Sequence, residues 1–322
     1  MNRAEEYISG VIVIPDDAPP VMSLSRAVEQ LRGCEHHLYS TLPPGPLELV
    51  ARIVGADAVI NIRASTRFTA EVLAECRHLR LISIWGTGTD HVDLRAARAR
   101  GIAVTNTPAV SAIAVAEHTL SLMLAVARQT VDVDLRVRRG EWPRAMVQQL
   151  HGKTLGVIGT GVIGREVVRL GRCIGMNVIA WTFNPRGDVC EWVTLDELFR
   201  RADVVSVHVR QSADTTALIG RAQFATMKST AILINTARGR IVVEKELIEA
   251  LQNGQIAGAG LDVFETEPLP AGSPLGLLPN VVLTPHAAGI TPEATEAGLA
   301  MAIANVLAFR AGAPVDLVNG PP

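Results

Sequence analysis

Residues 153–165, KTLGVIGTGVIGR, constrain the fold of this 322-residue chain more than any other segment. The apolar run 155–158 predicts a buried strand, and the amphipathic segment 165–173 predicts a helix. Three glycines lie between them in the spacing G-x-G-x-x-G. A strand before this spacing and a helix after it are the context that a dinucleotide-binding turn requires, although an ordinary tight strand-to-helix turn is the alternative.

Each glycine of this turn has a distinct physical task. Gly159 permits the tight turn, Gly161 lets the backbone approach a pyrophosphate, and Gly164 allows the helix to pack closely on the strand. The free N–H groups and the dipole of the helix N-terminus favour a bound anion. The predicted cofactor contacts in this turn are Gly159, Thr160, Gly161, Val162 and Ile163.

Composition excludes several classes of function. The net charge of −2 gives no electrostatic case for binding nucleic acid or an anionic membrane. No apolar run is long enough to span a bilayer, and the N-terminus lacks a signal-peptide pattern. The four cysteines lie far apart without a C-x-x-C motif. We therefore expect a cytoplasmic protein without a nucleic-acid, membrane or metal site.

Short apolar runs alternate with helical segments on both sides of the glycine turn, which predicts two parallel sheets covered by helices. Before the turn we predict strands at 11–14, 58–62, 81–85 and 103–105 and helices at 23–31, 69–79 and 94–100. After it we predict strands at 177–181, 204–208, 231–234, 258–261 and 281–283 and helices at 195–201, 244–253 and 291–311.

Residues 109–128 are apolar on nearly every side and contain no Pro or Gly. They predict a long buried helix that joins two domains. Residues 129–150 are more polar, and we expect their arginines to form a solvated surface. These arginines are Arg136, Arg138, Arg139 and Arg144.

The strand after the glycine turn lacks the acid that usually holds the ribose hydroxyls of NAD, about 20 residues past the glycines. Thr182 occupies that position. Thr182 or Asn184 could hydrogen-bond an unphosphorylated ribose, whereas Arg186 could pair with the 2′-phosphate of NADP or simply lie on the surface. The sequence therefore leaves the choice between NAD and NADP open.

Three later strands are each followed by ionisable residues, at the end of the sheet where open α/β folds bind ligands. Arg238 follows the first strand, Asp262 and Glu267 follow the second, and His286 follows the third. An arginine can clamp a carboxylate through two hydrogen bonds, and a histidine can move a proton near neutral pH. A carboxylate on the second imidazole nitrogen would fix its tautomer. Beside a nicotinamide, these groups suffice to reduce a 2-oxo acid.

The sequence resembles the D-isomer-specific 2-hydroxyacid dehydrogenases over about residues 56–290. The motifs that carry the resemblance occur in the family's order. They are Thr105-Asn-Thr-Pro108, Ala116-Glu-His-Thr119, Gly152-Lys-Thr-Leu155, the glycine turn, Asn235-Thr-Ala-Arg-Gly239, Asp262-Val-Phe-Glu265, Glu267-Pro268 and Pro285-His286.

The resemblance implies a role for each candidate residue. Arg238 would bind the substrate carboxylate, His286 would be the acid/base, and Glu267 would pair with that histidine. Asp262 would hold the nicotinamide carboxamide. Further cofactor contacts are expected at Thr182, Asn184, Arg186, His208, Thr236 and Ala237, and substrate contacts at Arg63 and at the backbone N–H groups of Gly86, Thr87 and Gly88.

The resemblance also implies a Rossmann cofactor domain, 108–291, inserted into a flavodoxin-like substrate domain formed by 1–107 and 292–322. Members of the family are usually homodimers through the cofactor domain, which suits the apolar segment 109–128. The expected partner is a small 2-oxo or 2-hydroxy acid.

Three positions depart from the family pattern. Val162 stands where arginine is frequent, Val209-Arg210 stands where proline usually follows the strand, and Trp85 stands where smaller residues are common. We expect structural roles for the imidazoles of His118 and His208, even though His208 lies at the expected cofactor site.

The main hypothesis is an NAD(P)-dependent D-2-hydroxyacid dehydrogenase. The alternative is a nucleotide-sensing binding protein, because this scaffold also occurs in transcriptional co-repressors. The set Arg238, Glu267 and His286 favours the enzyme. A methyltransferase would also need an acid after the second strand and has no use for this set.

Overall fold

The computed structural model describes residues 10–144 and 146–320 and divides the chain into two units. The first unit comprises Met1–Ser111 and Ile290–Pro322, and the second is Ala112–Gly289. The second unit is thus a continuous segment placed within the sequence of the first. Within the described residues, no helix has the length and apolar character needed to cross a membrane.

The first unit contains a parallel sheet of five strands in the order β2-β1-β3-β4-β5. Its strands are β1 (Ile12–Ile14), β2 (His36–Leu38), β3 (Ala58–Asn61), β4 (Leu81–Ile84) and β5 (Ala103–Thr105). Its helices are α1 (Pro46–Ile53), α2 (Ala70–Glu75), α3 (Leu94–Ala99) and α10 (Pro292–Arg310), with a 3-10 helix at Arg26–Leu31. A separate apolar core covers each face of the sheet, and α10 packs in one of them. This strand order is that of the flavodoxin-like fold.

The second unit contains a parallel sheet of seven strands in the order β12-β11-β10-β9-β6-β7-β8. Its strands are β6 (Thr154–Ile158), β7 (Asn177–Trp181), β8 (Glu191–Trp192), β9 (Val204–Val207), β10 (Ile232–Asn235), β11 (Gly258–Leu261) and β12 (Val281–Leu283). Its α-helices are α4 (Ala112–Ala127), α5 (Thr130–Arg138), α6 (Val162–Cys173), α7 (Leu195–Arg201), α8 (Arg221–Thr226) and α9 (Glu244–Gln252), and short 3-10 helices lie at Gly239–Ile241 and Pro274–Leu277.

Strand order reverses between β6 and β9, which is the doubly wound arrangement of a Rossmann sheet. Two apolar cores cover its faces. The predicted fold class, two doubly wound parallel sheets with the Rossmann sheet in an inserted segment, is therefore confirmed.

The parallel register brings the ends of several strands to one edge of the Rossmann sheet. Ile158 of β6 pairs with Val207 of β9 and with Trp181 of β7. Leu261 of β11 pairs with Asn235 of β10 and Leu283 of β12. Residues that directly follow these six strands therefore share the carboxyl edge.

The predicted helix 23–31 is wrong in type and extent, since the structure has a 3-10 helix at Arg26–Leu31. The Asp17 carboxylate accepts hydrogen bonds from the backbone N–H groups of Val21, Met22 and Ser23. These bonds hold the preceding residues in a turn, and Ser25 caps the short helix that follows.

The predicted buried helix 109–128 is also only partly correct. Ala109 has a left-handed φ of 66°, so the helix begins at Ala112, and it lies in the second unit. Ile113 and Leu124 are 63% and 40% exposed, so one side of this helix is an apolar surface rather than core. Arg138, Arg139 and Arg144 are exposed as expected, and Arg136 is half-buried. Arg136 and Arg138 form ion pairs with nearby acids.

Asp203 holds together three elements at the opposite edge of the Rossmann sheet. Its carboxylate accepts hydrogen bonds from the Thr154 N–H at 2.8 Å and from the Lys228 ammonium at 2.9 Å. Burial raises the pKa of this carboxyl, but the two hydrogen bonds and the lysine charge outweigh burial, so its pKa lies below the ordinary value. The charged form therefore stabilises the fold above the unfolded-state pKa.

We expect Asp203→Asn to lower the free energy of unfolding at pH 7 by about 1–3 kcal/mol, because a partly buried charged hydrogen bond is lost. The difference from wild type should shrink as the pH falls below about 4, where the unfolded carboxyl takes up a proton. Urea denaturation at several pH values measures both effects. Glu191→Gln, which breaks the exposed pair with Arg201, serves as the control and should cost much less. An equal loss at pH 7 in both variants would contradict this role of Asp203.

Candidate active site

The glycine turn after β6 is packed so tightly that two of its glycines admit no side chain. Gly159 has a φ of 94°, and a Cβ on it would lie 2.8 Å from the His208 carbonyl carbon. A Cβ on Gly164 would overlap the Gly159 carbonyl oxygen. Gly161 differs, since a Cβ there would meet nothing within 4 Å. This open space above Gly161 suits the close approach of a pyrophosphate, so the turn fits a dinucleotide.

The other predicted residues of the turn surround this open space. Thr160 is buried, Val162 is 57% exposed, and Ile163 is half-buried. Val162 begins α6 directly after Gly161, so the first N–H groups of that helix have no intrahelical partner. The Arg165 side chain donates to the Thr160 carbonyl oxygen at 3.1 Å and ties the helix back to the turn.

The segment after β7 carries no acid near the expected ribose position. Thr182 is half-buried, and Asn184 and Arg186 are exposed. The Trp181 and Phe183 rings contact each other edge to face, with centroids 4.9 Å apart. The groups available to an adenosine ribose are therefore neutral or basic.

His208 follows β9 and lies against the glycine turn. Its N–H donates to the Ile158 carbonyl oxygen at 2.7 Å, and its Nε2 lies 2.7 Å from the Ser206 hydroxyl. Burial lowers the pKa of His208 to about 3, so the imidazole is neutral at physiological pH.

Asn235, at the end of β10, shapes the loop that carries Arg238. Its Nδ2 donates to the Arg238 carbonyl oxygen at 2.9 Å, and its Oδ1 accepts the Ala237 N–H at 3.1 Å. The buried Thr236 hydroxyl lies 3.0 Å from that of Thr119 on α4. In the sequence, Asn235 was identified only as the first residue of a family motif. In the structure, its side-chain amide fixes the conformation of the Arg238 loop.

Gly239 lets this loop meet the next one. A Cβ on Gly239 would overlap the backbone of Phe264 and Glu265. Two further hydrogen bonds join the same loops. The Glu244 N–H donates to the Glu265 carboxylate at 3.0 Å, and the Glu265 N–H donates to the Glu244 carboxylate at 3.1 Å. The Arg238 loop therefore lies directly against the loop that leads to Glu267. This function of Gly239 was not predicted, although a glycine directly after Arg238 in the loop that follows β10 was a signal for it.

Asp262, at the end of β11, is 1% exposed and accepts three hydrogen bonds. Its Oδ1 accepts from the Thr284 hydroxyl at 2.6 Å and the Ala287 N–H at 2.9 Å, and its Oδ2 accepts the Ala288 N–H at 3.0 Å. Its carbonyl oxygen also accepts the His286 N–H at 2.8 Å. Asp262 thus fixes the His286 loop through both its side chain and its backbone carbonyl, a role that was not predicted from the sequence.

This network reaches α4 through Thr284. The His118 Nε2 lies 2.9 Å from the Thr284 hydroxyl, and because that hydroxyl donates to Asp262, His118 is the donor to Thr284. The predicted structural role of His118 agrees with these contacts.

His286 and Glu267 form a hydrogen-bonded pair. The His286 Nδ1 lies 2.7 Å from the Glu267 Oε2, and the other oxygen of that carboxylate accepts the Phe264 N–H at 3.0 Å. His286 has a left-handed φ of 52° and remains 38% exposed. The two hydrogen bonds therefore orient the pair, and both side chains remain partly accessible.

The pKa of Glu267 reflects its neighbours. Burial raises this pKa, but the His286 hydrogen bond and charge, the Phe264 N–H and the charge of Arg238 together lower it below the ordinary value. Glu267 is therefore ionised at neutral pH, and Arg238 is close enough to contribute to its electrostatic environment.

The predicted substrate residues lie in the first unit, at the ends of β3 and β4. The Arg63 N–H donates to the buried Asp16 carboxylate at 3.0 Å, and its guanidinium donates to the Pro19 carbonyl oxygen. The Gly86 N–H donates to the Thr107 hydroxyl at 2.7 Å. Of the three expected backbone donors, Gly86 is thus already bonded, which leaves Thr87 and Gly88.

The second unit therefore brings the glycine turn, His208, Arg238, Glu267 and His286 to one sheet edge, with Glu267 and His286 in contact. Among residues 10–144 and 146–320, no cluster of three or more His, Cys, Asp or Glu side chains could hold a metal ion.

Comparison with known proteins gives the family. The model described as "D-isomer specific 2-hydroxyacid dehydrogenase, NAD binding domain" matches residues 120–288. A glyoxylate reductase from Korarchaeum cryptofilum is 39% identical over 289 residues, which cover 86% of this chain and 87% of that protein.

Two solved structures match nearly the whole chain. D-lactate dehydrogenase from Aquifex aeolicus, complexed with NAD and lactic acid, has a TM-score of 0.85 at 31% identity and covers 97% of this chain and 100% of that one. An acyclic imino acid reductase in complex with NADPH and D-arginine has a TM-score of 0.88 at 28% identity and covers 96% of this chain and 99% of that one. The chain therefore belongs to the D-isomer specific 2-hydroxyacid dehydrogenases, as an oxidoreductase that uses NAD or NADP.

Proposed function

We propose that this chain reduces a short 2-oxo acid to the D-2-hydroxy acid and catalyses the reverse oxidation. The observation that carries the proposal is the His286–Glu267 hydrogen bond of 2.7 Å, beside the loop of Arg238 at the carboxyl edge of a dinucleotide-binding sheet. A relative that is a glyoxylate reductase and a structural neighbour that is a D-lactate dehydrogenase support a short 2-oxo acid as substrate.

His286 is the proposed acid/base. Because its Nδ1–H is donated to the ionised Glu267, Nε2 is the nitrogen that exchanges a proton with the substrate oxygen. A nicotinamide bound at this edge would supply or accept the hydride. As the carbonyl carbon gains hydride, the Nε2 proton passes to the carbonyl oxygen, and Glu267 stabilises the imidazolium that donates it.

Arg238 is the proposed clamp for the substrate carboxylate. A guanidinium binds a carboxylate through two parallel hydrogen bonds and so fixes its orientation as well as its charge. The N–H groups of Thr87 and Gly88 and the side chain of Arg63 are the proposed substrate contacts of the first unit. We accordingly propose that 1–107 with 292–322 bind substrate and that 108–291 bind the cofactor.

Asp262 is the proposed contact for the nicotinamide carboxamide, since its Oδ2 accepts only one bond from the described residues. At the other end of the cofactor, Thr182 and Asn184 can hydrogen-bond ribose hydroxyls, and Arg186 can pair with a 2′-phosphate. Gly159–Ile163, His208, Thr236 and Ala237 complete the proposed cofactor contacts. The proposal includes both NADH and NADPH.

We further propose a homodimer through the cofactor unit. Apolar side chains on α4, α5 and the following loop are exposed, and large exposed apolar patches mark protein interfaces. They are Ile113 (63% exposed), Leu124 (40%), Val131 (46%), Leu135 (47%), Val137 (44%) and Met146 (97%).

The proton-transfer role predicts that wild-type protein oxidises NADH or NADPH when glyoxylate or hydroxypyruvate is added, and that His286→Ala lowers kcat by roughly 10²–10⁴-fold. Cofactor affinity should change little, because the histidine acts on the developing alkoxide. Absorbance of the reduced nicotinamide measures turnover, and fluorescence titration measures cofactor binding.

The control for this experiment is His37→Ala, which removes an exposed imidazole of the first unit. Near-wild-type turnover in His286→Ala would contradict the proton-donor role. Cofactor binding without turnover across a broad panel of 2-oxo acids would instead favour a nucleotide-sensing binding protein.

The carboxylate clamp predicts that Arg238→Ala raises KM for the 2-oxo acid and lowers kcat/KM by about 10²-fold or more, as expected for a lost charge-assisted pair. Arg240→Ala is a matched control, since Arg240 is exposed and only two residues away. Steady-state kinetics at saturating cofactor measure both variants. If Arg238→Ala retained the wild-type KM and kcat, the substrate carboxylate would have to bind elsewhere.

The dimer proposal predicts a mass near twice the 34.3 kDa of one chain in light scattering. Leu135→Glu places a charge in the apolar patch and should give monomers, because a buried unpaired charge is costly. Val54→Glu, at an equally exposed apolar position in the first unit, should leave the mass unchanged. A monomeric wild type would refute the proposal.

A further inference from the structure

Trp85 lies at the carboxyl edge of the five-stranded sheet, directly after β4 and directly before the Gly86-Thr87-Gly88 loop. Side chains alternate along a strand, and Ser83 faces α10, because its hydroxyl donates to the Ala302 carbonyl oxygen at 2.8 Å. Trp85 faces the same helix and packs against the apolar core on that side. The indole therefore packs on α10, and the first unit's proposed substrate loop begins at the next residue.

Gly298 shows how closely the indole approaches α10. A Cβ on this buried helical glycine would overlap the Nε1 and Cδ1 atoms of Trp85. Glycine is less favourable than alanine inside a helix. The contact with Trp85 gives this costly glycine a physical reason, because only a residue without a side chain lets the indole lie against the helix backbone.

Arg63 is the second neighbour of the indole. Its guanidinium carbon lies 6.0 Å from the centre of the Trp85 ring, within the range of a cation–π contact. The bonds of Arg63 to Asp16 and Pro19 hold the residue from the other side. The backbone of Trp85 is fixed as well, through its N–H bond to the Asn61 carbonyl oxygen at 2.8 Å.

From this geometry we propose that Trp85 determines substrate size, with Gly298 as its support. This tryptophan directly precedes the proposed substrate loop, and its indole cannot turn aside without losing its contacts with α10 and Arg63. In this proposal the indole limits the space that is open to a substituent on the substrate. The inference rests on the proposed 2-oxo acid reduction and narrows its substrate class to acids that carry only hydrogen, a methyl group or a hydroxymethyl group on the carbonyl carbon. Bulky aliphatic and aromatic 2-oxo acids are excluded.

Trp85 is also a positioning residue for Arg63. The guanidinium has its cation–π partner only while the indole stays on Gly298. A substitution that moves the indole should therefore weaken binding of the short acids. This weaker binding should raise KM strongly and change kcat little.

The experiment compares glyoxylate and hydroxypyruvate with phenylpyruvate and 4-methyl-2-oxopentanoate, using wild type, Trp85→Ala and Trp85→Leu. We expect wild type to prefer the short acids in kcat/KM and both variants to shift the ratio toward the bulky acids by at least about 10-fold. Trp85→Leu keeps apolar volume for the core, so it provides the measurement if Trp85→Ala does not fold. Leu47→Ala is the control, since this apolar side chain on α1 of the first unit is 88% exposed and lies outside the substrate loop.

Gly298→Ala tests the support separately. Its methyl group should displace the indole and raise KM for glyoxylate several-fold, with kcat and cofactor affinity nearly unchanged. A wild-type KM in Gly298→Ala would contradict the proposed contact.

Calorimetric titration of the same acids without reduced cofactor separates this proposal from the proposed reaction. If wild type binds short acids preferentially and Trp85→Ala loses the preference without any turnover, the role of Trp85 stands and the reductase proposal fails. If turnover occurs with the same substrate ratio in wild type and in both Trp85 variants, the role of Trp85 is refuted and the reductase proposal stands. Absence of both binding and turnover overturns both.

Discussion

The buried carboxylate of Asp262 is the interaction on which the geometry of the candidate site depends. It accepts the Thr284 hydroxyl and the N–H groups of Ala287 and Ala288, while its own carbonyl oxygen accepts the His286 N–H. A carboxylate that is 1% exposed is stable only when its hydrogen bonds are satisfied, and here the satisfying groups belong almost entirely to the His286 loop. The cost of burying the charge is thus linked to one conformation of that loop. A His286 φ of 52° persists under this constraint.

Close backbone contacts at glycines complete the arrangement. Gly239 brings the Arg238 loop against Phe264 and Glu265, and from there the chain continues to Glu267. Gly159 and Gly164 make the cofactor turn compact, while Gly161 leaves open space. These positions show two uses of glycine: some allow one backbone to touch another, and one leaves room for a ligand. Replacing the first kind would separate loops that carry functional groups.

Much of the fold could be predicted because helical and strand periodicities differ. The strands Asn177–Trp181, Gly258–Leu261 and Val281–Leu283 and the helix Leu195–Arg201 have the predicted bounds. Short elements such as His36–Leu38 and Arg221–Thr226 were missed, because three to six residues carry little periodic signal. The segment 23–31 was wrongly predicted as one helix, because the hydrogen bonds that the Asp17 carboxylate accepts outweigh the local helix preference.

The candidate residues Arg238, Glu267 and His286 were found from sequence because each follows an apolar strand, and a parallel sheet gathers such positions at one edge. Sequence therefore determined the fold class, the glycine turn and which ionisable groups share that edge. Only the tertiary structure decided three contacts. The Asp262 carboxylate accepts three hydrogen bonds from the His286 loop. The Gly86 N–H donates to Thr107, and the Trp85 indole packs against Gly298. The physical reason is distance along the chain. Periodicity and turn preferences act between near neighbours in the sequence, whereas these contacts join residues up to 213 positions apart. The partners in such contacts are selected by tertiary packing.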